Sequence, residues 1–190
     1  MSIGATSKGM VLLDPVGHVP EEAAKKLTTR LSDLANKKVG FVFDGHYMAE
    51  HFWPAMEEDL VKRLHLAGKV SRIKPNVGAP APQAMVDEVA AQVDIAVTGM
   101  AACGSCTSGA VRDAVAMERK GIPAVVIAHD KFEKAAKAQA RMLGMPDLPV
   151  IVVPQPQSWT TREEEVKNAA DAVVRIQAAL LAKPPAQPAR

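Results

Sequence analysis

The chain's only two cysteines, Cys103 and Cys106, stand two residues apart in "GMAACGSCTSGA" (residues 99–110). At this spacing the second thiol can reach the first, either to close a disulfide or to resolve an adduct. The pair could equally supply half of a metal site, or fill space as two small core residues. Its setting favours reactivity. The tetrad follows the apolar run "VDIAVTG" (93–99) and leads into the helical pattern "SCTSGAVRDAVAMERKG". Thr98, Gly99 and Gly104 permit a sharp turn with free backbone N–H groups, and Ser105, Thr107 or Ser108 can cap the helix start. A sulfur at that point feels the positive end of the helix dipole, which favours the nucleophilic thiolate.

Such a turn needs a scaffold, and five short apolar runs provide one. They are "VGFVFDG" (39–45), "VSRIKP" (70–75), "VDIAVTG" (93–99), "PAVVIAH" (123–129) and "PVIVVPQP" (149–156). Four are nearly continuous apolar stretches, as strands covered on both faces require. The second alternates, which suits an edge strand. Helical stripes lie between them: Phe52, Met56, Leu60 and Leu64 in one, and Val166, Ala169, Val173, Ile176 and Leu180 in another. The segments "LAGK", "RKGIP" and "LGMP" carry glycine stops. Repeated strand–helix alternation predicts an α/β three-layer sandwich on a five-stranded, mostly parallel sheet, flavodoxin-like or Rossmann-like. One α/β domain over residues 39–182 is expected. Residues 1–38 read as an N-terminal arm and short helix packed on it, and 183–190 as a disordered Pro-rich tail. "MVLLDP" reads as an extra strand, an arm across a partner subunit, or a segment laid on the sheet.

Ligands of open parallel sheets bind beyond the carboxyl ends of the strands. That edge collects Asp44, Gly45 and His46 after the first run, Lys74 after the second, and Thr98, Gly99 and the tetrad after the third. His129 and Asp130 follow the fourth run, Gln155 follows the fifth, and His51 lies about a turn into the first helix. The loop "NVGAPAPQ" (76–83) can wall the cleft. His46 and His129 are the candidate proton carriers beside the thiols, although ordinary loop histidines occupy such positions as often. His18 and His65 read as surface residues, and Trp53 and Trp159 as packing or rim aromatics.

The bulk composition narrows the partners. The chain has 190 residues, with 23 Lys and Arg against 21 Asp and Glu, a net +2 with no basic cluster. Nucleic acid is therefore not an expected partner. The N-terminal apolar run is too short for a signal peptide or membrane span, so a cytoplasmic location is expected and no membrane partner. In a reducing compartment paired cysteines more often serve redox catalysis or metal binding than structure. Zinc would need His51, His129 or Asp44 beside the thiolates, and neither HxxxH nor a second CxxC supports it, so no metal is expected. No GxGxxG or GxxxxGK[ST] loop calls for a nucleotide, and no residue requests a flavin, so no cofactor is expected.

The stretch "CGSCTSGAVRDAVAMERKGIPAVVIAHDKFEKAAKAQARMLGMPDLPVIVVPQP" (103–156) resembles the UGSC-motif family, whose tetrad begins with selenocysteine in some members and cysteine in others. The segments "AQARMLGMPDL", "VLLDPVG" and "LANKKVGFVFDG" are similar too, extending the likeness over roughly residues 10–156. The resemblance implies a thiol- or selenol-dependent redox activity, distantly similar to the selenoprotein B component of glycine, sarcosine and betaine reductases. It places Cys103 at the selenocysteine position as nucleophile and Cys106 as its partner. Two stretches depart from the family pattern. "DGHYMAEHF" stands where "DNSKPNA" is more usual, and Pro154-Gln155-Pro156 stands where many members read "PHP". Both lie on the expected cleft edge, where a substrate would be read.

The leading expectation is a thiol-dependent redox enzyme acting on a small molecule. Cys103 attacks, Cys106 resolves, and an external thiol reductant reopens the disulfide. His46, His51 or His129 would act as general acid, while Thr98 and Thr107 position the substrate. Asp44, Gly45, Gly99, Gly104, Ser105, Ser108, Asp130 and Gln155 complete the substrate-binding set. One alternative keeps the nucleophile without redox turnover, as a lyase, hydrolase or isomerase. Another is a metal-binding or non-catalytic subunit of a reductase complex. The apolar "MVLLDP" run points to a homo-oligomer.

Overall fold

The computed structural model describes residues 27–182. Five strands form one parallel sheet: β1 (Lys38–Phe43), β2 (Gly68–Ile73), β3 (Ile95–Ala101), β4 (Ala124–His129) and β5 (Val150–Val153), in the order β2-β1-β3-β4-β5. Each expected strand is present to within a few residues, and the alternating second run is an edge strand. This is the flavodoxin-like order, which reverses direction between β1 and β3.

The helices are α1 (Phe52–Arg63), α2 (Gln83–Ala90), α3 (Gly104–Arg119), α4 (Glu133–Met142) and α5 (Arg162–Leu180). Crossovers of one hand put α1 on the opposite face from α2, α3 and α4, because the chain moves outward once and then back across the sheet. The core is accordingly double. Val39, Phe41, Ile95, Val97, Val125 and Ile127 pack beneath α1 and α5, whereas Val42, Ala96, Val126 and Ala128 pack beneath α2, α3 and α4. The alternation of strand side chains assigns each residue to its layer.

Phe52, Met56, Leu60 and Leu64 are all buried, as their spacing predicts. In α5 the stripe begins one turn later than expected. Val166 is exposed, and burial starts at Ala169, where the helix comes to lie on the core. Trp53 is a packing aromatic, stacked on Phe43 with ring centroids 4.4 Å apart, whereas Trp159 is exposed. Gly121 and Gly144 take the left-handed conformation that ends α3 and α4. After α1 the stop differs from the sequence reading. His65 supplies the positive φ, and Gly68 of "LAGK" instead opens β2.

Residues 27–37 hold no helix. Leu31 bridges to Leu181 after α5, and Thr28 and Arg30 bind the buried Glu118 carboxylate on α3. The "MVLLDP" run, the rest of the expected arm and the 183–190 tail lie outside the described residues. Among the described residues, no helix is long and apolar enough to cross a membrane.

Candidate functional site

The crevice at the β1/β3 reversal is where this architecture binds ligands, and the tetrad stands on it. Cys103 is the N-cap of α3. Its backbone is extended, and its Sγ accepts the Cys106 N–H at 3.1 Å. Cys103 and Cys106 are joined in a disulfide with Cα atoms 5.1 Å apart, inside the range that a disulfide spans. Their surroundings differ. Cys103 is half-buried at the rim beside exposed Gly104 and Ser105, whereas Cys106 is 1% exposed. An incoming molecule therefore meets the sulfur of Cys103 first. That sulfur also sits where unpaired N–H groups and the helix dipole favour negative charge. The other hydroxyls divide their work. Thr107 donates to the Cys103 carbonyl at 2.5 Å and locks the cap, Ser105 Oγ lies 3.6 Å from Cys103 Sγ, and Ser108 accepts from Arg112.

The loop 76–83, expected as a cleft wall, packs along α3. Lys74 Nζ binds the Ala79 carbonyl and Asp113 Oδ2, both at 2.9 Å, and Asp113 Oδ1 accepts the Ala81 N–H at 2.7 Å. This ion pair is almost fully buried. It ties residues 74–82 along one side of α3. A Cβ on Gly78 would come within 2.9 Å of Ser105 Oγ, and one on Gly109 within 2.8 Å of the Ala79 carbonyl oxygen. Ser105 and Gly109 are four residues apart on one helix face, so small residues at 78 and 109 let the loop lie there. Asp113 escaped the sequence reading. Its signal was a lone carboxylate on the inward face shared with Ala110, Ala114 and Met117.

Asp44 extends the alternation of β1 onto the α3 side. It is 3% exposed; Oδ1 accepts the His46 N–H at 3.0 Å, and Oδ2 has no protein partner. Burial raises this carboxyl above the usual carboxylate range. The backbone N–H groups of Met100 and His46 and the charge of Lys74 oppose that rise. Asp44 thus combines a buried, unpartnered oxygen with easier protonation on the cysteines' side of the sheet. Gly45 follows in a left-handed turn.

Several expected site residues are employed elsewhere. Thr98 lies wholly inside the sheet, donating to the Ala110 carbonyl at 2.8 Å and fastening α3 to β3, so it does not face the cleft. Gly99 is also internal: a Cβ there would come within 2.8 Å of the Trp53 ring, so its smallness serves packing. His129 follows Ala128 onto the opposite, α1–α5 face. There it is 2% exposed and lines a cavity of about 10 Å³ with Met48, Phe52 and Glu165. Burial lowers its pKa to about 4, helped by the charge of His46 and opposed by Asp130. It is consequently neutral near pH 7 and carries no proton to give as imidazolium.

His46 caps the short turn Tyr47–Ala49, its Nδ1 accepting the Met48 N–H at 3.3 Å. His51 is the exposed N-cap residue of α1; Glu163 on α5 is held below the usual carboxylate range by its own backbone N–H and the Thr161 side chain, with only a minor contribution from His51. Asp130 accepts the Lys131 N–H and borders a groove with Asn168 and Arg175 of α5. Gln155 reaches Met48 across the top of the sheet, leaving Oε1 unpartnered. Two groups result. Cys103, Gly104, Ser105, Cys106, Thr107, Lys74 and Asp44 gather on the α3 side and His51, His129, Asp130 and Gln155 on the α1–α5 side, while His46 stands between, its N–H on Asp44 and its charge felt by both Asp44 and His129. Among the described residues, no cluster of three or more His, Cys, Asp or Glu could hold a metal ion.

The family model of the UGSC family matches residues 11–182. The chain belongs to the UGSC family. That match supports the UGSC family itself; the likeness to selenoprotein B rests on the motif alone. A comparison with functionally curated proteins returns no match. Among solved structures, the Streptococcus pneumonia TIGR4 flavodoxin is similar at 14% identity and a TM-score of 0.44, over 74% of this chain and 98% of that one. A flavodoxin-like domain from Synechococcus sp is similar at 15% identity and a TM-score of 0.36, over 74% and 99%.

Proposed function

We propose that this UGSC-family chain is a thiol-dependent redox enzyme that reduces a small molecule at Cys103. The observation that carries the reading is the Cys103–Cys106 bond at the start of α3, with Cys103 at the rim and Cys106 beneath it.

The chemistry balances as follows. In the dithiol form the Cys103 thiolate attacks an electrophilic centre R–X, forming an S–R bond while X leaves with the electron pair and takes a proton. The Cys106 thiolate then attacks the Cys103 sulfur, and R leaves with its electron pair to become R–H. The sum is R–X plus two thiols giving R–H, HX and one disulfide. An external dithiol restores the cysteines by attacking the accessible Cys103 sulfur and displacing Cys106 as thiolate. In this scheme Asp44 is the proton carrier on the cysteine side, because burial keeps its carboxyl easier to protonate than an exposed one. The N-cap geometry stabilises the attacking thiolate, and Ser105 lies beside it.

Acid-quenching and alkylating the protein as it leaves its source, then reading the tetrad by mass, tests this reading. The expected species are the disulfide and an adduct confined to Cys103. Two fully alkylated thiols at every stage of turnover would contradict it, as would sustained turnover without any reductant.

A further inference from the structure

The α1–α5 side of the carboxyl edge holds a buried polar group that the proposed reaction leaves unused. His129 is 2% exposed, and its Nδ1 has no protein partner. A ring nitrogen shut away from solvent in this way forfeits the hydrogen bond it makes with water in the unfolded chain, and native interiors rarely leave one so. The ring borders a space of about 10 Å³. That is close to the room one water requires, and such a water also needs roughly two to four polar neighbours. The lining supplies them. Glu165 and Asn168 of α5 stand around the space with His129, and Met48, Phe52, Val153 and two prolines close the remainder. Glu165 Oε2 accepts the Phe52 N–H at 3.2 Å, and a carboxylate accepts at both oxygens, so a donor in the space can meet it.

We propose that this space is a binding site for a single ordered water, held by His129 Nδ1, Glu165 and the Asn168 amide. Two features select water over other ligands of its size. A neutral imidazole has one donor and one acceptor nitrogen, and water, which both donates and accepts, satisfies the buried nitrogen in either tautomer. Burial keeps the ring neutral near pH 7, so it offers no positive charge to an anion. A potassium or ammonium ion would have to give up its hydration for one half-buried carboxylate and two neutral groups. The site is not sealed. Met48 and Glu165 also border an open cleft beside Tyr47 and Ser158, and Asn168 borders the groove beside Arg175. Small side-chain motions there admit solvent, so the water exchanges without unfolding of the chain. Once bound, it joins the end of β4 to the first two turns of α5 and, through the Glu165–Phe52 bond, to the start of α1.

A crystal structure of the full chain, grown without ammonium or potassium salts and at a resolution that orders internal waters, tests this directly. The expected result is one peak of density within roughly 2.7–3.2 Å of His129 Nδ1, also in hydrogen-bond reach of Glu165 or Asn168. No peak, a peak in contact with carbon alone, or a peak that acquires the anomalous signal of rubidium after transfer to a rubidium salt overturns the proposal, the last in favour of a cation. A solution measurement gives a second reading. The Phe52 amide proton should show rotating-frame cross-relaxation with a long-lived water, and His129→Leu should abolish it while the amide shifts of α3 stay in place to report an intact fold. A signal absent from the unaltered chain, or one that persists in the folded variant, overturns it.

Discussion

The two sides of the sheet's carboxyl edge solve the same problem differently. On the α3 side, Lys74 meets Asp113 and the backbone of residues 79 and 81 completes both, while Asp44 keeps one oxygen unpartnered and Cys103 sits at the rim above. On the α1–α5 side, His129 is buried with an unpartnered ring nitrogen beside a space that holds about one water. The first arrangement fixes the 74–82 loop along α3 and leaves Cys103 half-buried at the helix start. The second suppresses charge. The proposed reaction uses the first side, where the thiols and Asp44 stand, whereas His51 and His129 lie on the second.

The largest effect that separates the sides is on turnover. Cys103→Ser should lower activity by roughly a thousandfold or more, as loss of a covalent nucleophile does. His129→Gln should cost no more than about tenfold, read as kcat/KM. Equal losses would erase the distinction. Next in size is the ion pair. Lys74→Met strands the Asp113 carboxylate and should destabilise the fold by about 3–5 kcal/mol in urea titrations at fixed thiol oxidation state. Joining it to Asp113→Leu should recover most of that loss, because the buried charge is gone.

His129 sharpens the contrast through pH. Its folded pKa of about 4 lies below the ordinary 6.5, so the unfolded chain binds the proton more readily. The stability it contributes is complete above pH 6.5 and is lost as pH falls towards 4, by up to about 3 kcal/mol. His129→Gln should flatten the stability profile over that window. A slope unchanged in the variant would assign the titration to another group. The smallest effect concerns the strand beneath α3: Thr98→Val removes the bond to the Ala110 carbonyl and should cost about 1 kcal/mol with kcat unchanged.

The sheet was legible because buried parallel strands write themselves as apolar runs, and "VGFVF" or "AVVIA" admits few other readings. The tetrad was legible for a local reason, since helix start, glycine and thiol spacing are all contiguous. What the sequence hid was the face on which each edge residue points. His129 ends a strand whose alternation turns it away from α3, and a bulge between Thr98 and Ala101 shifts the register of β3 against β4. The pairing of Lys74 with Asp113 joins residues 39 apart, which no local pattern reports.

The central claim is that Cys103 and Cys106 form a reversible redox couple with Cys103 outermost. Equilibrating the folded protein in graded dithiol–disulfide buffers, then trapping with one equivalent of alkylating agent and mapping by mass, tests it most directly. A single two-electron transition with the label on Cys103 is the predicted result. A bond that opens only when the protein unfolds, or a label that falls first on Cys106, would contradict it.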